Sequence, residues 1–431
     1  MKKKIGNLFK GDKGIWMVFL FLCLISIIEV FSASSTLTYK THNYMGPLIY
    51  HTIMILVGLG VAIITLNIPY RVFRKLIPVL LVATYATLMW VLVGGESING
   101  ANRVIQLPGF TFQPSEIAKG TMVLVTAQIL GAMQRSDGSG ADPKAMRYVL
   151  CLVTPAVILI GIENLSTAIL LFAVVFLMMF IGRVPMKQMG KLMGVCILLA
   201  ALFLALVFSV GSLDKEGRAL ESAQANNTEV VNKPSKEDRS LWDTFTHRFW
   251  TWKNRLTSKS EKNIPAEEYK ITDKNFQVTH ANLAIASSGI IGKGPGNSLE
   301  RDYLPQAFSD FIFAIIIEEM GLIGAISVVF LYIILLFRGA RIAGRCDDNF
   351  PAFLVMGLVL LLVIQAAINM CVAVDFGIVT GQPLPLISKG GTSTIVNCAY
   401  IGAILSVSRN ARHTDQNLAS QSVEPIEAST I

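Results

Sequence analysis

The sequence has little charge. Only 15% of its residues are Asp, Glu, Lys or Arg, whereas a soluble globular protein carries roughly a quarter. Hydrophobic residues make up 53% of the chain and are bunched into long runs, such as residues 16–30 and 165–181. A helix of ~20 apolar residues crosses a hydrocarbon core of ~30 Å. The composition therefore argues against a soluble protein and predicts a membrane protein.

Cysteine is also scarce. The chain has six cysteines, none of them in a CxxC spacing, which argues against a disulfide framework and against a zinc site. The N-terminus, MKKKIGNLFKGDKG, precedes an apolar run as the charged region of a signal peptide does. That run is long, and no small-residue cleavage pattern closely follows it. We therefore expect an uncleaved first span.

The net charge of +8 is not concentrated in one basic stripe with interleaved aromatic residues, as nucleic-acid binding would require. The basic residues instead form short clusters in every second loop between apolar runs. Under the positive-inside rule, this distribution predicts that both termini are in the cytoplasm. Without a basic stripe, we expect no nucleic-acid partner.

The fold class that follows is all-α, a polytopic membrane protein with about ten transmembrane helices. The predicted helices are residues 15–33, 48–67, 74–93, 115–133, 146–163, 165–182, 188–210, 309–338, 350–376 and 388–408.

One membrane domain, residues 15–409, is expected between a short cytoplasmic N-terminus, residues 1–14, and a tail, residues 410–431. The tail is polar and is predicted to be disordered. A large loop on the outer face, residues 210–309, separates helices 7 and 8, and its stretch 214–239 has the composition of a flexible segment.

Ionisable residues beside membrane spans are costly unless they are paired or hydrated, so they are the first candidates for function. Asp310 stands just before the eighth apolar run. It is either the N-cap of that helix or a catalytic base at the membrane surface. Its position alone favours neither interpretation.

A glycine-rich stretch precedes Asp310 and has two interpretations. Clustered glycines let backbone N–H groups approach an anion, so this stretch is either a cradle for a diphosphate or an ordinary turn. The residues that would form the cradle are Gly294, Gly296, Asn297 and Ser298.

Glu116 and Lys119 are three residues apart and share one helical face. They form either a structural ion pair or, together with Arg103, part of a cationic surface for phosphate. Gln277, at the start of a segment that could fold back into the membrane, is added to the candidate substrate contacts.

The run GQPLPLISKGGT, residues 381–392, cannot be a regular helix, because two prolines and two glycines interrupt it. It either lines a cavity, with Lys389, Gly390 and Gly391 in contact with substrate, or is a plain loop leading into the tenth helix.

Four further charged residues have supporting roles in this interpretation. Glu318 and Glu319 form a structural hydrogen-bonding node or a cation site, with structure favoured. Arg248 and Arg255 are two helical turns apart and are typical of a face turned to solvent or lipid headgroups.

Three stretches resemble the signature regions of the SEDS (shape, elongation, division and sporulation) glycosyltransferases. They are ANRVIQLPGFTFQPSEIAK, GIIGKGPGNSLERDYLPQAFSDFIFAIIIEEMGLIG and GQPLPLISKGGTSTIVN. The resemblance covers nearly the whole membrane region, but not residues 214–239 or the tail. It implies a peptidoglycan glycosyltransferase in the bacterial inner membrane that polymerises lipid II, an undecaprenyl-diphosphate-linked disaccharide peptide, at the periplasmic face.

The resemblance places the essential carboxylate of the family on Asp310, within SDFIF. It implies that Asp310 takes the proton of the acceptor GlcNAc 4-hydroxyl, which attacks the donor MurNAc anomeric carbon with inversion. Arg103 and Lys119 would offset the charge of the leaving diphosphate. No cofactor is certain, and a divalent cation, Mg²⁺ or Mn²⁺, stays open. The implied partners are a class B penicillin-binding transpeptidase and other divisome proteins.

The form GxGxGNS, ending at Asn297 and Ser298, is similar to division-type members and favours a septal enzyme over an elongation-type polymerase. Two positions depart from the family pattern. Glu163-Asn164-Leu165-Ser166-Thr167 replaces Pro-Asp-Leu-Gly-Thr, which puts any role of that Asp in doubt. Lys389 replaces an aromatic residue and would add a cation.

Two other classes of function remain. A lipid II flippase would share the many spans and interrupted helices, but it needs polar groups along a path through the bilayer, and the candidates here cluster near one face. A non-catalytic scaffold for division would tolerate replacement of Asp310.

Overall fold

A computed structural model describes residues 10–33, 46–94, 96–98, 101–107, 110–225, 275–304, 307–377 and 379–421. The chain forms two compact units. The first comprises Met1–Met186 with His280–Ile431, and the second is Lys187–Thr279. The candidate catalytic residue, Asp310, lies in the first unit.

The described residues are mainly helical. The helices are α1 (Lys13–Ala33), α2 (Gly46–Asn67), α3 (Tyr70–Gly94), α4 (Pro114–Ala132), α5 (Ala145–Glu163), α6 (Leu165–Ile181), α7 (Met186–Ala225), α8 (Phe276–Ala286), α9 (Ile312–Ala343), α10 (Asn349–Ala373) and α11 (Gly391–Gln421).

Eight of the described helices are long and apolar enough to cross a membrane, namely α1, α2, α3, α5, α7, α9, α10 and α11. The apolar helix α6 is shorter, at 17 residues. The more polar α4 has twelve of its nineteen residues buried, so it is surrounded by other helices rather than by lipid. All ten predicted helices therefore have a counterpart, and the predicted helical membrane fold is confirmed.

Small residues let the central helices approach closely. In the first unit α10 packs on α4 and α9, α11 packs on α2, and α1 packs on α9. Gly357 of α10 faces Val123 of α4 and Met178 of α6, and a Cβ atom at this glycine would lie 2.6 Å from a side-chain atom of each. Such close helix contacts at small residues are typical of membrane bundles, where packing replaces the hydrophobic effect between helices.

A small antiparallel sheet precedes α4 and was not predicted. It contains β1 (Glu96–Ile98), β2 (Ala101–Leu107) and β3 (Phe110–Phe112) in the order β1-β2-β3. Ile105 of β2 pairs with Phe112 of β3. The stretch is short and its apolar residues do not alternate cleanly, so the sequence pattern gave only a weak strand signal.

Two helices run beyond their predicted ends. In the second unit α7 continues from residue 210 to Ala225, into the stretch 214–239 that was predicted to be flexible, because ten of the sixteen residues 210–225 are Ala, Leu, Glu, Gln, Lys or Arg, which favour helix. In the first unit α11 continues to Gln421, through residues predicted to be disordered, because no Gly or Pro interrupts the chain from residue 403 to 421. The rest of the predicted tail lies outside the described residues.

One end of the bundle is fixed by Asp12, and we call it the Asp12 end. Asp12 Oδ1 accepts hydrogen bonds from the backbone N–H groups of Gly14 at 2.8 Å and Ile15 at 3.1 Å, so it caps α1. Arg338 near the end of α9 donates to the same carboxylate, from Nε at 2.9 Å and from Nη2. Burial raises the pKa of Asp12, but the Arg338 guanidinium and the two amides outweigh burial and hold the pKa below its usual value.

The opposite end, which we call the Asp310 end, contains a break in α9. Gly321 has φ 67° and ψ −167°, which ends the helical path of the chain. The backbone N–H groups of Leu322 and Ile323 donate to the carbonyls of Gly289 and Ile290, each at 3.3 Å. The carbonyls of Glu318 and Glu319, which those N–H groups would bind in an unbroken helix, are therefore left without their helical donors.

The segment 289–294 supplies the missing donors. The backbone N–H groups of Lys293 and Gly294 donate to the carbonyls of Glu318 and Glu319, at 2.9 and 2.8 Å. Four hydrogen bonds to this segment thus replace the interrupted helical ladder. A broken helix in a membrane protein needs such partners, because no water is present to satisfy its backbone.

Gly321 allows the inserted segment to touch α9. A Cβ atom at Gly321 would lie 2.2 Å from the Ile290 carbonyl oxygen. We expect Gly321→Ala to lower the free energy of unfolding by about 2–5 kcal/mol, the sum of the conformational strain and the overpacking. Thermal unfolding in detergent measures the effect. Gly289→Ala is the matched control, since Gly289 also has φ 67° but no atom within 4 Å of its added Cβ. Equal losses in the two variants would contradict a tight backbone contact.

Candidate active site

Asp310 lies in a turn immediately before α9 and is half-buried. The N-cap position of α9 is occupied by Phe311, so the interpretation of Asp310 as the N-cap residue is wrong. The hydroxyl of Ser309 donates a hydrogen bond to Asp310 Oδ1 at 3.0 Å. A half-buried carboxylate in a turn at the end of the bundle is accessible to a substrate while its backbone is fixed.

Three successive carbonyls of this turn each accept a hydrogen bond. The carbonyl of Phe308 accepts from the backbone N–H of Lys389 at 2.9 Å. The next carbonyl, of Ser309, accepts from Ser388 Oγ at 2.6 Å. The carbonyl of Asp310 accepts from Asn369 Nδ2 at 2.9 Å. We call this set of contacts the carbonyl clamp.

The clamp connects the Asp310 turn to the interrupted run 381–389. Asn369 Nδ2 also donates to the carbonyl of Gln382 at 2.7 Å, so one amide group bridges the turn and the run. A Cβ atom at Gly381, which has φ 64°, would lie 3.4 Å from Asp310 Oδ2. The run therefore passes directly beside the carboxylate.

Side chains from three helices donate hydrogen bonds to three further carbonyls of the run. Gln365 Nε2 donates to the Pro383 carbonyl at 3.0 Å, and Ser26 Oγ donates to the Ile387 carbonyl at 2.6 Å. The hydroxyl of Tyr332 donates to the Pro385 carbonyl. Most of the run is buried and supports the turn, so it is neither a plain exposed loop nor the open wall of a cavity.

The end of this run places a cation over the ring of Phe308, in the Asp310 turn. Lys389 is half-buried, and its Nζ lies 4.7 Å from the centre of the Phe308 ring. Burial lowers the pKa of Lys389. Gly390 and Gly391 follow, and α11 begins at Gly391 rather than at the predicted residue 388, because Ser388 and Lys389 are held in the clamp.

Glu116 and Lys119 form a buried ion pair, with Lys119 Nζ 2.9 Å from Glu116 Oε1. Lys119 is 0% exposed and also donates to Gln365 Oε1 at 2.7 Å. The prediction that Lys119 belongs to an open cationic surface is therefore wrong, and the structural ion pair is found instead. Through Gln365 the pair supports the Pro383 carbonyl.

Several predicted contacts fall elsewhere. Arg103 lies in β2, but its side chain is outside the described part of the chain. Gln277 lies in the first turn of α8, within the second unit. Arg248 and Arg255 lie outside the described residues.

The glycine-rich loop does not offer its amides to a diphosphate. The backbone N–H groups of Gly296 and Ser298 donate to the Glu319 carboxylate, at 3.0 and 3.2 Å. The N–H of Gly294 donates to the Glu319 carbonyl, and that of Asn297 donates to the Gly294 carbonyl. The predicted diphosphate cradle is therefore wrong, because the loop binds a carboxylate of the protein itself. Glu318 and Glu319 form the predicted structural node.

The sequence interpretation missed Asn369 and Gln365, which hold the site from α10. Both are buried, four residues apart on one face of an apolar helix. Polar residues inside a membrane span carry a signal, since they are costly unless bonded. The sequence-based candidates within the apolar spans were ionisable residues, so the two amide side chains were not among them.

Removing the amide of Asn369 should loosen the clamp. Asn369→Ala leaves the buried carbonyls of Asp310 and Gln382 without this donor, at about 1–3 kcal/mol each. We expect a lower thermal midpoint in detergent, equivalent to at least about 2 kcal/mol. Asn67→Ala is the control, because Asn67 donates to the Ile63 carbonyl at 2.8 Å on an exposed surface and should change stability by less than about 0.5 kcal/mol. A stability loss no larger than that of the control would show that Asn369 does not hold the turn.

The ion pair of α4 has its own test. Lys119→Met leaves Glu116 charged and buried, and we expect a loss of about 3–5 kcal/mol in the free energy of unfolding. The double variant Glu116→Gln/Lys119→Met removes both charges and should recover most of that loss. Denaturant unfolding of the two variants and the parent measures both values. A Lys119→Met variant as stable as the parent would contradict the buried pair.

The sequence is similar to those of known proteins over nearly its whole length. The family model described as FTSW_RODA_SPOVE, cell cycle protein, matches residues 12–220 and 244–413. A Geobacter metallireducens protein named "Probable peptidoglycan glycosyltransferase FtsW" is 29% identical over 420 residues, covering 96% of this chain and 98% of that protein. The Escherichia coli K12 "Peptidoglycan glycosyltransferase MrdB" is 26% identical over 425 residues, covering 98% of each chain.

Solved structures show the same fold. A chain from a structure described as "Structural coordination of polymerization and crosslinking by a peptidoglycan synthase complex" has a TM-score of 0.65 and 24% identity, with 94% of this chain and 99% of that chain covered. The Thermus thermophilus rod shape determining protein RodA has a TM-score of 0.60 and 22% identity, with the same coverage. Since the family model matches most of its length, this chain belongs to the FtsW/RodA/SpoVE family of cell cycle proteins.

Proposed function

We propose that this chain is a peptidoglycan glycosyltransferase that polymerises lipid II into glycan strands. The observation that carries the proposal is the clamped turn at Asp310, which presents one half-buried carboxylate at one end of a membrane bundle. The names of the relatives, "peptidoglycan glycosyltransferase", give the reaction class.

In the proposed reaction Asp310 is the general base. Its carboxylate takes the proton of the acceptor GlcNAc 4-hydroxyl, and the oxygen attacks the anomeric carbon of the donor MurNAc. The bond from that carbon to the diphosphate oxygen breaks, its electron pair leaves with undecaprenyl diphosphate, and the configuration inverts. The clamp keeps the carboxylate in place, which is the positional contribution that general-base catalysis needs.

Lys389 is the proposed partner of the leaving diphosphate among the described residues. Its backbone N–H donates to the Phe308 carbonyl in the clamp, so the backbone that carries its charged side chain is held beside the Asp310 turn. A cation placed where negative charge develops lowers the barrier electrostatically. Lys119 does not take this role, because it is fully buried in the ion pair with Glu116.

A divalent cation, Mg²⁺ or Mn²⁺, has no evident protein site in the described part of the chain. Those residues contain no group of three or more His, Cys, Asp or Glu side chains that could hold a metal ion. The proposed reaction therefore assigns no step to a metal.

The side of the membrane on which the reaction takes place is proposed from the distribution of basic residues. The basic loops around Arg74, Arg147 and Arg341 lie at the Asp12 end. The positive-inside rule makes that end cytoplasmic and the Asp310 end periplasmic, in a bacterial inner membrane with both termini inside.

A class B penicillin-binding transpeptidase and other divisome proteins at the septum are the proposed partners. One similar solved structure is described as a peptidoglycan synthase complex that coordinates polymerization and crosslinking, which supports a transpeptidase partner. The residues Asn297 and Ser298 support the division type over the elongation type.

The test follows labelled lipid II incubated with the purified protein, with and without its cognate transpeptidase. We expect glycan ladders from the parent and a rate reduced by at least about 10²-fold for Asp310→Asn, which is nearly the same size but cannot accept the proton. Asp347→Asn, an exposed residue at the Asp12 end, is the control and should match the parent.

The other outcomes separate the alternatives. Equal ladders from the parent and Asp310→Asn would remove Asp310 from the mechanism. No ladder from the parent, together with lipid II translocation in vesicles, would support a flippase instead.

A further inference from the structure

Glu318 and Glu319 lie next to each other on α9, just before its break, and both are 0% exposed. Buried carboxylates are stable only when hydrogen bonds or cations compensate their charge. Both residues have such partners, and nearly all of them come from one stretch of chain, residues 293–301.

Glu318 binds this stretch at both of its oxygens. Oε1 accepts from the backbone N–H of Leu299 at 3.0 Å and from Lys293 Nζ at 2.6 Å. Oε2 accepts from the hydroxyl of Ser298. Charge-assisted hydrogen bonds of this kind are stronger than neutral ones.

Glu319 binds the same stretch and also α1. Its carboxylate accepts the N–H groups of Gly296 and Ser298 and the hydroxyl of Ser32, near the end of α1. Arg301 Nη1 lies 3.6 Å from Glu319 Oε1 and donates to Ser32 Oγ at 2.7 Å. One carboxylate therefore joins the loop, α9 and α1. We call these contacts of Glu318 and Glu319 the carboxylate latch.

The latch closes a segment of chain that contains Asp310. The chain leaves the latch at Arg301, passes through the Asp310 turn and returns along the first helical turns of α9 to Glu318. Closing the ends of a segment reduces the conformations open to everything between them. Asp310 is thus restrained from two sides, by the carbonyl clamp and by the latch.

We propose that Glu318 and Glu319 are positioning residues for the reaction. By fixing residues 296–301 to α9 and to α1, they hold the turn that carries the catalytic base. They touch neither substrate nor the reacting atoms in this proposal, and they act through Asp310. The inference rests on the proposed function, but the latch itself is measurable without any activity.

The variants separate the loss of the Glu319 hydrogen-bond acceptors from the loss of its charge. Glu319→Ala removes the acceptor of the loop amides. Glu319→Gln keeps one acceptor oxygen and a similar volume, so it should recover a large part of the loss and serves as the foldable variant if Glu319→Ala does not fold. Asp142→Ala is the control. Asp142 Oδ1 also accepts a backbone N–H, from Lys144 at 2.8 Å, but it lies just before α5, at the Asp12 end and away from the latch.

Two readouts on the full-length protein are compared. Hydrogen–deuterium exchange of the peptide covering residues 292–301 reports the latch, and the lipid II polymerisation rate reports the turn. In the parent we expect protection of this peptide. In Glu319→Ala we expect faster exchange there but not in α10, and a fall in kcat of tenfold or more with KM and the pH profile unchanged. Asp142→Ala should match the parent in both readouts.

The result decides between the proposals. A parent whose 292–301 peptide is unprotected would overturn the latch. Faster exchange in Glu319→Ala or Glu319→Gln with parental kcat would overturn the positioning role and leave the proposed function intact. A parent that makes no glycan would overturn the proposed function, and loss of protection in Glu319→Ala would then still establish the latch without its catalytic role.

Discussion

The structure around Asp310 depends on satisfying backbone polar groups where helices are interrupted. Inside a membrane bundle an unpaired carbonyl or N–H costs several kcal/mol, because lipid offers no hydrogen bond. The Asp310 turn, the run 381–389 and the break in α9 are three such interruptions at one end of the protein. Each is repaired by groups from distant parts of the chain, and the repairs meet at Asn369 and at the Glu318-Glu319 pair. The same bonds that make the irregular backbone tolerable also fix the carboxylate.

The helical fold could be predicted from the sequence, but most of the contacts that hold the Asp310 turn could not. Long apolar runs specify spans almost without context, since length and composition suffice, and each of the ten predicted helices has a counterpart, whereas the short α8 was not predicted. The glycine-rich loop was misinterpreted because glycines at this spacing bind any anion. Whether that anion is a phosphate or Glu319 depends on a residue more than twenty positions away. Lys119 was misplaced for a similar reason, because a basic residue near a predicted span end does not reveal whether it faces water or Gln365.

Other features could not be predicted from local pattern. The sheet before α4 is short, and its strands are stabilised by pairing with one another rather than by a strong local preference. The clamp combines residues from α10, the run 381–389 and the Asp310 turn, which are far apart in sequence. Asp310 itself was identified from a motif, whereas its rigidity is a property of the tertiary structure.

The departure from the family pattern at residues 163–167 moves one carboxylate from position 164 to Glu163 and retains the geometry of the helix cap. Asn164 occupies the N-cap of α6 and accepts a hydrogen bond from the Thr167 N–H at 3.2 Å, as an aspartate in that position would. Thr167 Oγ1 in turn accepts from Gln382 Nε2 at 2.7 Å, within the run beside Asp310. An amide oxygen is as good a cap as a carboxylate, so this chain keeps the contact that places Gln382. Lys389 adds a positive charge to the same run. This second change makes this end of the bundle more favourable for an anion, which is the charge that the proposed leaving group carries.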